Sequence, residues 1–160
     1  MSMIAIALLL QSASPPPYAM LGEEPVEAYE VRPENAGAKP FEGDAMAKAF
    51  GGQDGIRRVV NRLIDLNSSD PVIGEIFVTE DRVRFRRTLF EHMCYLLNAG
   101  CIYTGMDMRS AHKNMGIQQA DMNRMVENLQ SAMDAEGIRF QAQNRLLAKL
   151  ATMRKDVVER

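Results

Sequence analysis

The stretch Tyr103–Ile117, which reads YTGMDMRSAHKNMGI, places His112 at the end of a short amphipathic segment. His112 is one of only 2 histidines in the chain. Neutral imidazole is a common ligand of transition metals, which makes His112 a candidate metal ligand. A single histidine in a helical segment is more often a surface or hydrogen-bonded residue. The rest of the chain has to decide between these two interpretations.

Length and composition favour one small domain with a tail. A chain of 160 residues suits a single core and an extension. The net charge of −2 provides no basic field for nucleic acid, so we expect no nucleic-acid partner. There are 12 methionines and no tryptophan. Methionine fills irregular apolar space, either around a flat ligand or in an ordinary core.

The first 45 residues differ in composition from the rest of the chain. Residues 1–14 are a candidate signal peptide, because the apolar run Ile4–Leu10 is too short to span a bilayer but has the size of a signal-peptide core. No lysine or arginine precedes this run, which weakens the signal. Residues 15–45 are rich in proline, glycine, alanine and glutamate. That composition does not offset the entropy of ordering, so we predict a flexible, acidic, disordered linker before a globular domain over residues 46–160.

Helical spacing of apolar residues continues from Met46 to the C terminus, and no alternating strand pattern appears. The pattern predicts a short helix over Met46–Phe50, a second helix ending before Asp70-Pro71, and a third over Arg82–Leu97. Two longer helices are expected at about 118–135 and 140–158. The apolar stripe of the second helix is Ile56, Val59, Val60, Leu63, Ile64 and Leu66. The predicted fold class is all-α.

The chain from Met46 onward resembles the truncated haemoglobins, the two-over-two globins, and within them the group I proteins with an export leader. The anchors are Gly51-Gly52 entering a helix, Asp70-Pro71 before the turn to Phe77, His112, and the ending Met-Arg-Lys-Asp-Val-Val. The resemblance implies a two-over-two helical sandwich that holds haem b. The motif for covalent attachment, Cys-x-x-Cys-His, is missing, so the haem is expected to be non-covalent. His112 is then the proximal iron ligand, and a carbonyl near Met108 accepts a hydrogen bond from its other ring nitrogen.

The resemblance also assigns residues to a haem pocket. Phe77 matches a phenylalanine that packs on the haem face, and Tyr103 matches a tyrosine beside a propionate. Ile64 and Leu89 stand where oxygen-avid members carry polar side chains, and Phe85 lies at the ligand entrance. We therefore expect an apolar distal pocket. The expected haem contacts are His112, Phe77, Phe85, Leu89, Ile64, His92, Tyr103, Met108, Ile117, Met122 and Met125.

His92 is the one polar group on the pocket-facing stripe of the third helix. Three roles stay open for it: a hydrogen bond to a bound ligand, direct ligation of iron, or a position at the pocket rim beside solvent or a propionate. Basic residues flank the expected haem edge, where they would pair with propionates or form a solvated face. These residues are Arg86, Arg87, Arg109 and Lys113.

Cys94 and Cys101 are the only cysteines of the chain. A local disulfide between them is possible if the loop after the third helix folds back, and 2 free thiols in a cytoplasmic chain would be equally ordinary. Together with the candidate leader, this pair favours an exported or periplasmic protein, with a cytoplasmic location as the alternative.

Two classes of function follow. The first is a haem protein that reversibly binds oxygen, nitric oxide or carbon monoxide, served by an unknown reductase and without stable membrane insertion of the mature domain. Slow nitric oxide dioxygenase or peroxidase-like turnover belongs to this class. The second is a haem-less globin that serves as an interaction module or binds copper. Its copper ligands would be Met106, Met108, His112, Met115 and Cys94.

Overall fold

A computed structural model describes residues 18–78 and 81–159, and the candidate signal peptide over residues 1–14 lies outside them. Within the described residues the chain is helical and has no strand, which confirms the all-α prediction. None of these helices is long and apolar enough to cross a membrane. The α-helices are α1 (Ala45–Ala49), α2 (Gly52–Ser69), α3 (Arg82–Leu96), α4 (Met108–Ala111), α5 (Gln119–Ala135), α6 (Phe140–Ala151) and α7 (Arg154–Val157), and 3-10 helices span Pro33–Ala36 and Gly74–Phe77.

Helix α2 lies at the centre of the core. It begins after Gly51, whose φ of 75° is in the left-handed region that favours glycine. It ends at Asp70, because the residue before a proline is driven out of the helical conformation. Most of its apolar stripe is buried, with Ile56, Val59 and Val60 fully so, and Leu66 is partly buried. Helix α2 packs against α3 and α5, and α5 packs against α6.

Helix α3 is capped by Asp81, whose carboxylate accepts hydrogen bonds from the backbone nitrogens of Val83 and Arg84, each at 3.0 Å. After its last turn Asn98 adopts a left-handed φ of 57°, which lets the chain fold back. Cys94 and Cys101 thereby come together, with Cα atoms 5.5 Å apart, and form a disulfide. Of the two alternatives that the sequence left open, a disulfide and two free thiols, the structure has the disulfide.

The last predicted helix, over 140–158, is broken into α6 and α7. Thr152 and Met153 donate backbone hydrogen bonds to carbonyls three residues earlier, and the Thr152 hydroxyl also bonds the Lys149 carbonyl at 2.7 Å. These tighter bonds end α6 without a glycine or proline. The break turns the buried Met153 toward Tyr103 and Met108.

The N-terminal segment, defined as residues 18–44, differs from the flexible linker that its composition predicts. The 3-10 turn Pro33–Ala36 brings Ala36 into a small second core, where it is fully buried against Leu96, Tyr103, Met108 and Met153. Backbone bonding adds to this: the Phe41 nitrogen donates to the Leu96 carbonyl at 2.8 Å. A few specific contacts order a segment whose average composition favours disorder.

Charged groups also hold the N-terminal segment against α3. The Glu23 carboxylate and the Arg87 guanidinium form an ion pair, and their side chains are only 1% and 7% exposed. Arg87 also pairs with Glu91 at 3.2 Å. The Arg87 hydrogen bond lowers the pKa of Glu23, although burial opposes this. Because these charged side chains are paired and buried, they hold the N-terminal segment against α3 and do not form a solvated surface.

Candidate functional site

Residues from α2 to α7 and from the N-terminal segment line one cavity of about 350 Å³. This volume is in the range of small-molecule and cofactor sites, roughly 300 to 1,000 Å³. Every expected haem contact except Ile64 lines it. The apolar lining consists of Val26, Leu63, Ile73, Ile76, Phe77, Phe85, Leu89, Met93, Met106, Met108, Ala111, Met115, Ile117, Met122, Met125, Val126, Leu129, Leu150, Met153 and Val157.

His112 reaches the cavity from the end of α4. Asp107 starts this short helix by accepting a hydrogen bond from the Ser110 nitrogen at 3.0 Å. The His112 Nδ1 atom lies 2.7 Å from the carbonyl oxygen of Met108. A carbonyl oxygen can only accept, so Nδ1 carries a proton, and in the neutral imidazole Nε2 then keeps its lone pair. The predicted hydrogen bond is present and leaves the imidazole suited to bind a metal through Nε2.

A second wall of the cavity is formed by α2, α3 and the 3-10 turn Gly74–Phe77. The rings of Phe77 and Phe85 pack with their centroids 5.5 Å apart, and Leu89 lies one turn beyond Phe85. Helix α4, by contrast, packs against α7. The apolar side chains of this second wall and His112 are therefore carried by different elements.

Ile64 is the one expected pocket residue that does not line the cavity. It is 7% exposed and packs in the main core. On the same helix Leu63 and Asn67 line the cavity instead. Because Leu63 and Asn67 are four residues apart, they share a helix face. Ile64, the residue after Leu63, points to a different side of the helix.

His92 lines the cavity, but its Nε2 is engaged by the protein itself. It is 8% exposed, and its Nε2 donates to the Ala36 carbonyl at 2.8 Å. Its ring packs on Tyr103 with a centroid separation of 5.2 Å. Burial lowers the pKa of His92 to about 4, although the hydrogen bond to Ala36 opposes this. His92 is thus a neutral residue that joins α3 to the N-terminal segment, with the nitrogen that usually binds metal already engaged.

The predicted propionate partners are largely engaged elsewhere. Arg87 is held by Glu23 and Glu91, and Arg109 pairs with Asp156 at 2.9 Å. Arg86 donates to Asn61 on α2. Tyr103 lines the cavity, but its hydroxyl donates to the Met106 carbonyl at 2.8 Å, and burial raises its pKa well above the usual range. Lys113 follows His112 on the surface.

Asn67 is a cavity residue that sequence reasoning missed. It is fully buried, and its Oδ1 accepts a hydrogen bond from Asn128 Nδ2 at 3.0 Å. Asn128 also donates to Asp70, which Arg124 holds at 2.7 Å. Burial raises the pKa of Asp70, but hydrogen bonds from Val72, Asn128, Arg124 and Ile73 outweigh it and lower the pKa to about 2. A polar residue at a core position of the α2 stripe, four residues after Leu63, is the signal that could have found it.

The metal chemistry available without a cofactor is limited. In the part of the chain that the structure describes, no group of three or more His, Cys, Asp or Glu side chains could hold a metal ion. Cys94 is in the disulfide, so it has no thiolate to offer copper. Met106, Met108 and Met115 do line the cavity together with His112.

Comparison with known proteins agrees with this architecture. Residues 46–159 match the family model of the bacterial-like globins. The structure is similar to a truncated haemoglobin from Tetrahymena pyriformis, with a TM-score of 0.68, 21% identity, and coverage of 72% of this chain and 98% of that chain. No curated protein matches the chain in sequence.

Two further solved structures show the same fold. A 2/2 haemoglobin from Synechococcus sp., solved with covalently attached haem, has a TM-score of 0.66 and 19% identity, and the match covers 72% of this chain and 98% of that chain. A group II truncated haemoglobin from Bacillus anthracis has a TM-score of 0.65 and 20% identity, with 74% and 94% covered. The predicted two-over-two helical sandwich is confirmed.

Proposed function

The chain belongs to the bacterial-like globin family, and from that premise we propose that it binds haem b non-covalently and holds a diatomic gas reversibly. The observation that carries the proposal is the His112 imidazole. Its Nδ1 is fixed on the Met108 carbonyl at 2.7 Å, and its Nε2 is free at the wall of a cavity of about 350 Å³. A haem protein needs this pairing of one oriented neutral imidazole with an apolar space.

The residues present fit haem better than a metal ion held by protein alone. Haem brings four nitrogen ligands of its own, so a single imidazole completes its attachment. The described residues offer no cluster of side chains that would replace those ligands. When bound, haem would supply an iron atom with one position left for a gas.

The chain's own contribution is orientation and exclusion of water. Met108 fixes the plane and tautomer of His112. The Phe77 and Phe85 rings and Leu89 form an apolar wall, which keeps the local dielectric low and admits small neutral gases. Oxygen, nitric oxide and carbon monoxide are the gases of this class, and a reductase is the partner that would keep the iron ferrous.

Export to the periplasm is a further part of the proposal. The Cys94–Cys101 disulfide supports it, because such bonds persist in oxidising compartments. A cytoplasmic location is the alternative. The group I assignment stays a prediction, since the similar structures include a group II protein. Slow nitric oxide dioxygenase or peroxidase-like turnover also stays a prediction.

Copper binding without haem is the second candidate, and one observation favours it. Three thioethers, from Met106, Met108 and Met115, line the same cavity as His112. Soft sulfur ligands suit Cu(I). A globin that has lost haem and serves as an interaction module would use neither His112 nor these thioethers to bind a metal.

A visible spectrum of the purified chain after haem supplementation tests the proposal. We expect a Soret band with about one haem per chain, and competition by Cu(I) should be weak because Cys94 is not available. Absence of the band, together with stoichiometric Cu(I) binding, would support the copper alternative. Absence of both would leave an interaction module.

A further inference from the structure

We propose that Val26 and Tyr29, in the N-terminal segment, form part of the haem-binding site, so that the bound cofactor contacts both side chains. This inference rests on the proposed function. Both residues precede residues 46–159, the region that matches the globin family model. The family match therefore does not account for them.

The first observation is that Val26 and Tyr29 line the same cavity as His112. Within residues 24–30 they are the only two residues that are not exposed. Neither of them belongs to the two apolar cores of the described residues. Both are half-buried, so each keeps accessible surface that a ligand in the cavity would cover.

The second observation is that the N-terminal segment is anchored to α3 on both sides of this pair. Before the pair, the Glu23 carboxylate forms its buried ion pair with Arg87. After the pair, the Ala36 carbonyl accepts a hydrogen bond from His92 Nε2 at 2.8 Å. His92 itself lines the cavity. The stretch that carries Val26 and Tyr29 is therefore fastened at two points to a helix that forms the cavity wall.

The third observation is that the same segment is anchored to the chain that leads into α4. The Tyr29 hydroxyl donates to the Thr104 carbonyl at 2.8 Å. The Asn35 side-chain nitrogen donates to the Gly105 carbonyl at 3.1 Å. Thr104 and Gly105 shortly precede α4, which ends at His112. The N-terminal segment therefore connects α3 with the part of the chain that carries His112, and both of these line the cavity.

A valine side chain and an aromatic ring are suited to cover the apolar surface of a porphyrin. Burial against the cofactor removes apolar area from water, which favours the bound state. Loss of both side chains should therefore speed haem dissociation by about tenfold, the factor that corresponds to about 1.4 kcal/mol. Loss of the two Val26 methyl groups alone should speed it by about threefold.

The test uses the whole chain loaded with haem. Nuclear Overhauser effects in the diamagnetic carbon monoxide complex report whether haem protons lie close to the Val26 methyl groups and the Tyr29 ring. Transfer of haem to excess apomyoglobin, followed by visible absorbance, gives the rate of haem dissociation.

Four variants separate contact with haem from support of the fold. Val26→Ala keeps every anchor described above, and Val26→Ala with Tyr29→Ala removes both proposed contacts. Tyr29→Phe removes the hydrogen bond to Thr104 and keeps the ring. Leu21→Ala is the matched control, because Leu21 is an apolar residue of the same segment that is fully exposed and does not line the cavity.

We expect Overhauser effects from haem to both side chains, faster haem dissociation in Val26→Ala and in the double variant, and rates close to the wild type in Tyr29→Phe and Leu21→Ala. If the double variant does not fold, Val26→Ala still decides the matter.

Haem bound at one per chain without an Overhauser effect to Val26 or Tyr29 would overturn this inference and leave the proposed function intact. Equal rates of haem dissociation in Val26→Ala and Leu21→Ala would do the same. A wild-type chain without a Soret band would instead overturn the proposed function and this inference with it.

Discussion

The two histidines of the chain lie in two regions that use the same hydrogen bond in different ways. In residues 103–117, called the proximal segment below, His112 donates from Nδ1 to a carbonyl four residues earlier, which leaves Nε2 free. On α3, His92 donates from Nε2 to the Ala36 carbonyl in the N-terminal segment, 56 residues away. The free Nε2, and not burial alone, makes His112 rather than His92 the candidate haem ligand. His112 is held by a contact within its own helical turn, whereas His92 is held by a residue far away in the sequence.

Substituting each histidine in turn tests this comparison with the largest expected effect. His112→Ala should abolish stoichiometric haem binding, because the only free imidazole Nε2 at the cavity is lost, and added imidazole should restore a Soret band. His92→Phe should keep about one haem per chain. Haem content after gel filtration measures both, and loss of haem in His92→Phe alone would reverse the assignment.

Breaking the ion pair beneath the N-terminal segment should have the next largest effect. Arg87→Met leaves the Glu23 carboxylate, 1% exposed, with only the more distant Arg84 guanidinium at 3.6 Å, so we expect the free energy of unfolding to fall by about 3 kcal/mol, the lower end of the cost of breaking a buried pair. The matched control is Arg109→Met, since Arg109 is 76% exposed in its pair with Asp156 and should change stability by about 0 to 1 kcal/mol. Chemical denaturation measures both.

Equal effects of the two arginine substitutions would contradict an ordered N-terminal segment. Such a result would support the flexible linker that the composition predicts. Protection of residues 18–44 from proteolysis in the wild type, and its loss in Arg87→Met, gives an independent reading of the same contact.

A pH titration of stability should show the buried state of His92. Its pKa is about 4 in the folded chain against 6.5 for the free side chain, so the unfolded chain binds the proton first as pH falls. The contribution of His92 to the free energy of unfolding is therefore largest above about pH 6.5. It decreases by about 3 kcal/mol as the pH falls from about 6.5 to 4. The pKa of Asp70, lowered to about 2, affects stability only below about pH 4.

The variant His92→Phe is the control for that titration. Whatever its absolute stability, its free energy of unfolding should be nearly flat between about pH 6.5 and 5, above the range in which Glu23 and Glu136, whose pKa values are lowered from 4.5, begin to affect stability. A slope equal to that of the wild type would show that His92 is not the titrating group.

The smallest expected effect concerns the disulfide that fixes the loop leading into the proximal segment. Replacing both cysteines, as Cys94→Ala with Cys101→Ser, should lower the free energy of unfolding by about 2 to 3 kcal/mol. Haem content should be unchanged, because neither cysteine lines the cavity. Mass spectrometry of protein from an oxidising compartment should show about 2 daltons fewer than the reduced form. Two alkylatable thiols there would remove the support for export.

Local patterns made the proximal segment predictable. The spacing of Met108 and His112 by one helical turn dictates their hydrogen bond, and the apolar stripes dictate α2, α3 and α5. The N-terminal segment was not predictable in this way, because its order depends on contacts such as Ala36 with His92 that no local pattern encodes. The same composition can belong to a flexible linker or to a packed segment, and contacts with a few residues distant in sequence determine which of the two forms.

The second cavity wall was only partly predictable from the sequence. Phe77, Phe85 and Leu89 line the cavity as the resemblance implies, but Ile64 turns into the core. A rotation of one residue on a helix changes which side chain faces a ligand, and a sequence stripe broader than one face cannot resolve it. Asn67 escapes prediction for a related reason, since a stripe defined by apolar residues leaves out a polar residue on the same helix face.

The most direct test of His112 as the iron ligand is the iron–imidazole stretching band of the ferrous, gas-free protein, recorded by resonance Raman with ¹⁵N-labelled histidine. The chain has only 2 histidines, so substitution of one assigns the band to the other. We expect His92→Phe to keep the band and its isotope shift, and His112→Ala to lose both. A band that survives in His112→Ala and disappears in His92→Phe would contradict the assignment of His112 as the haem ligand.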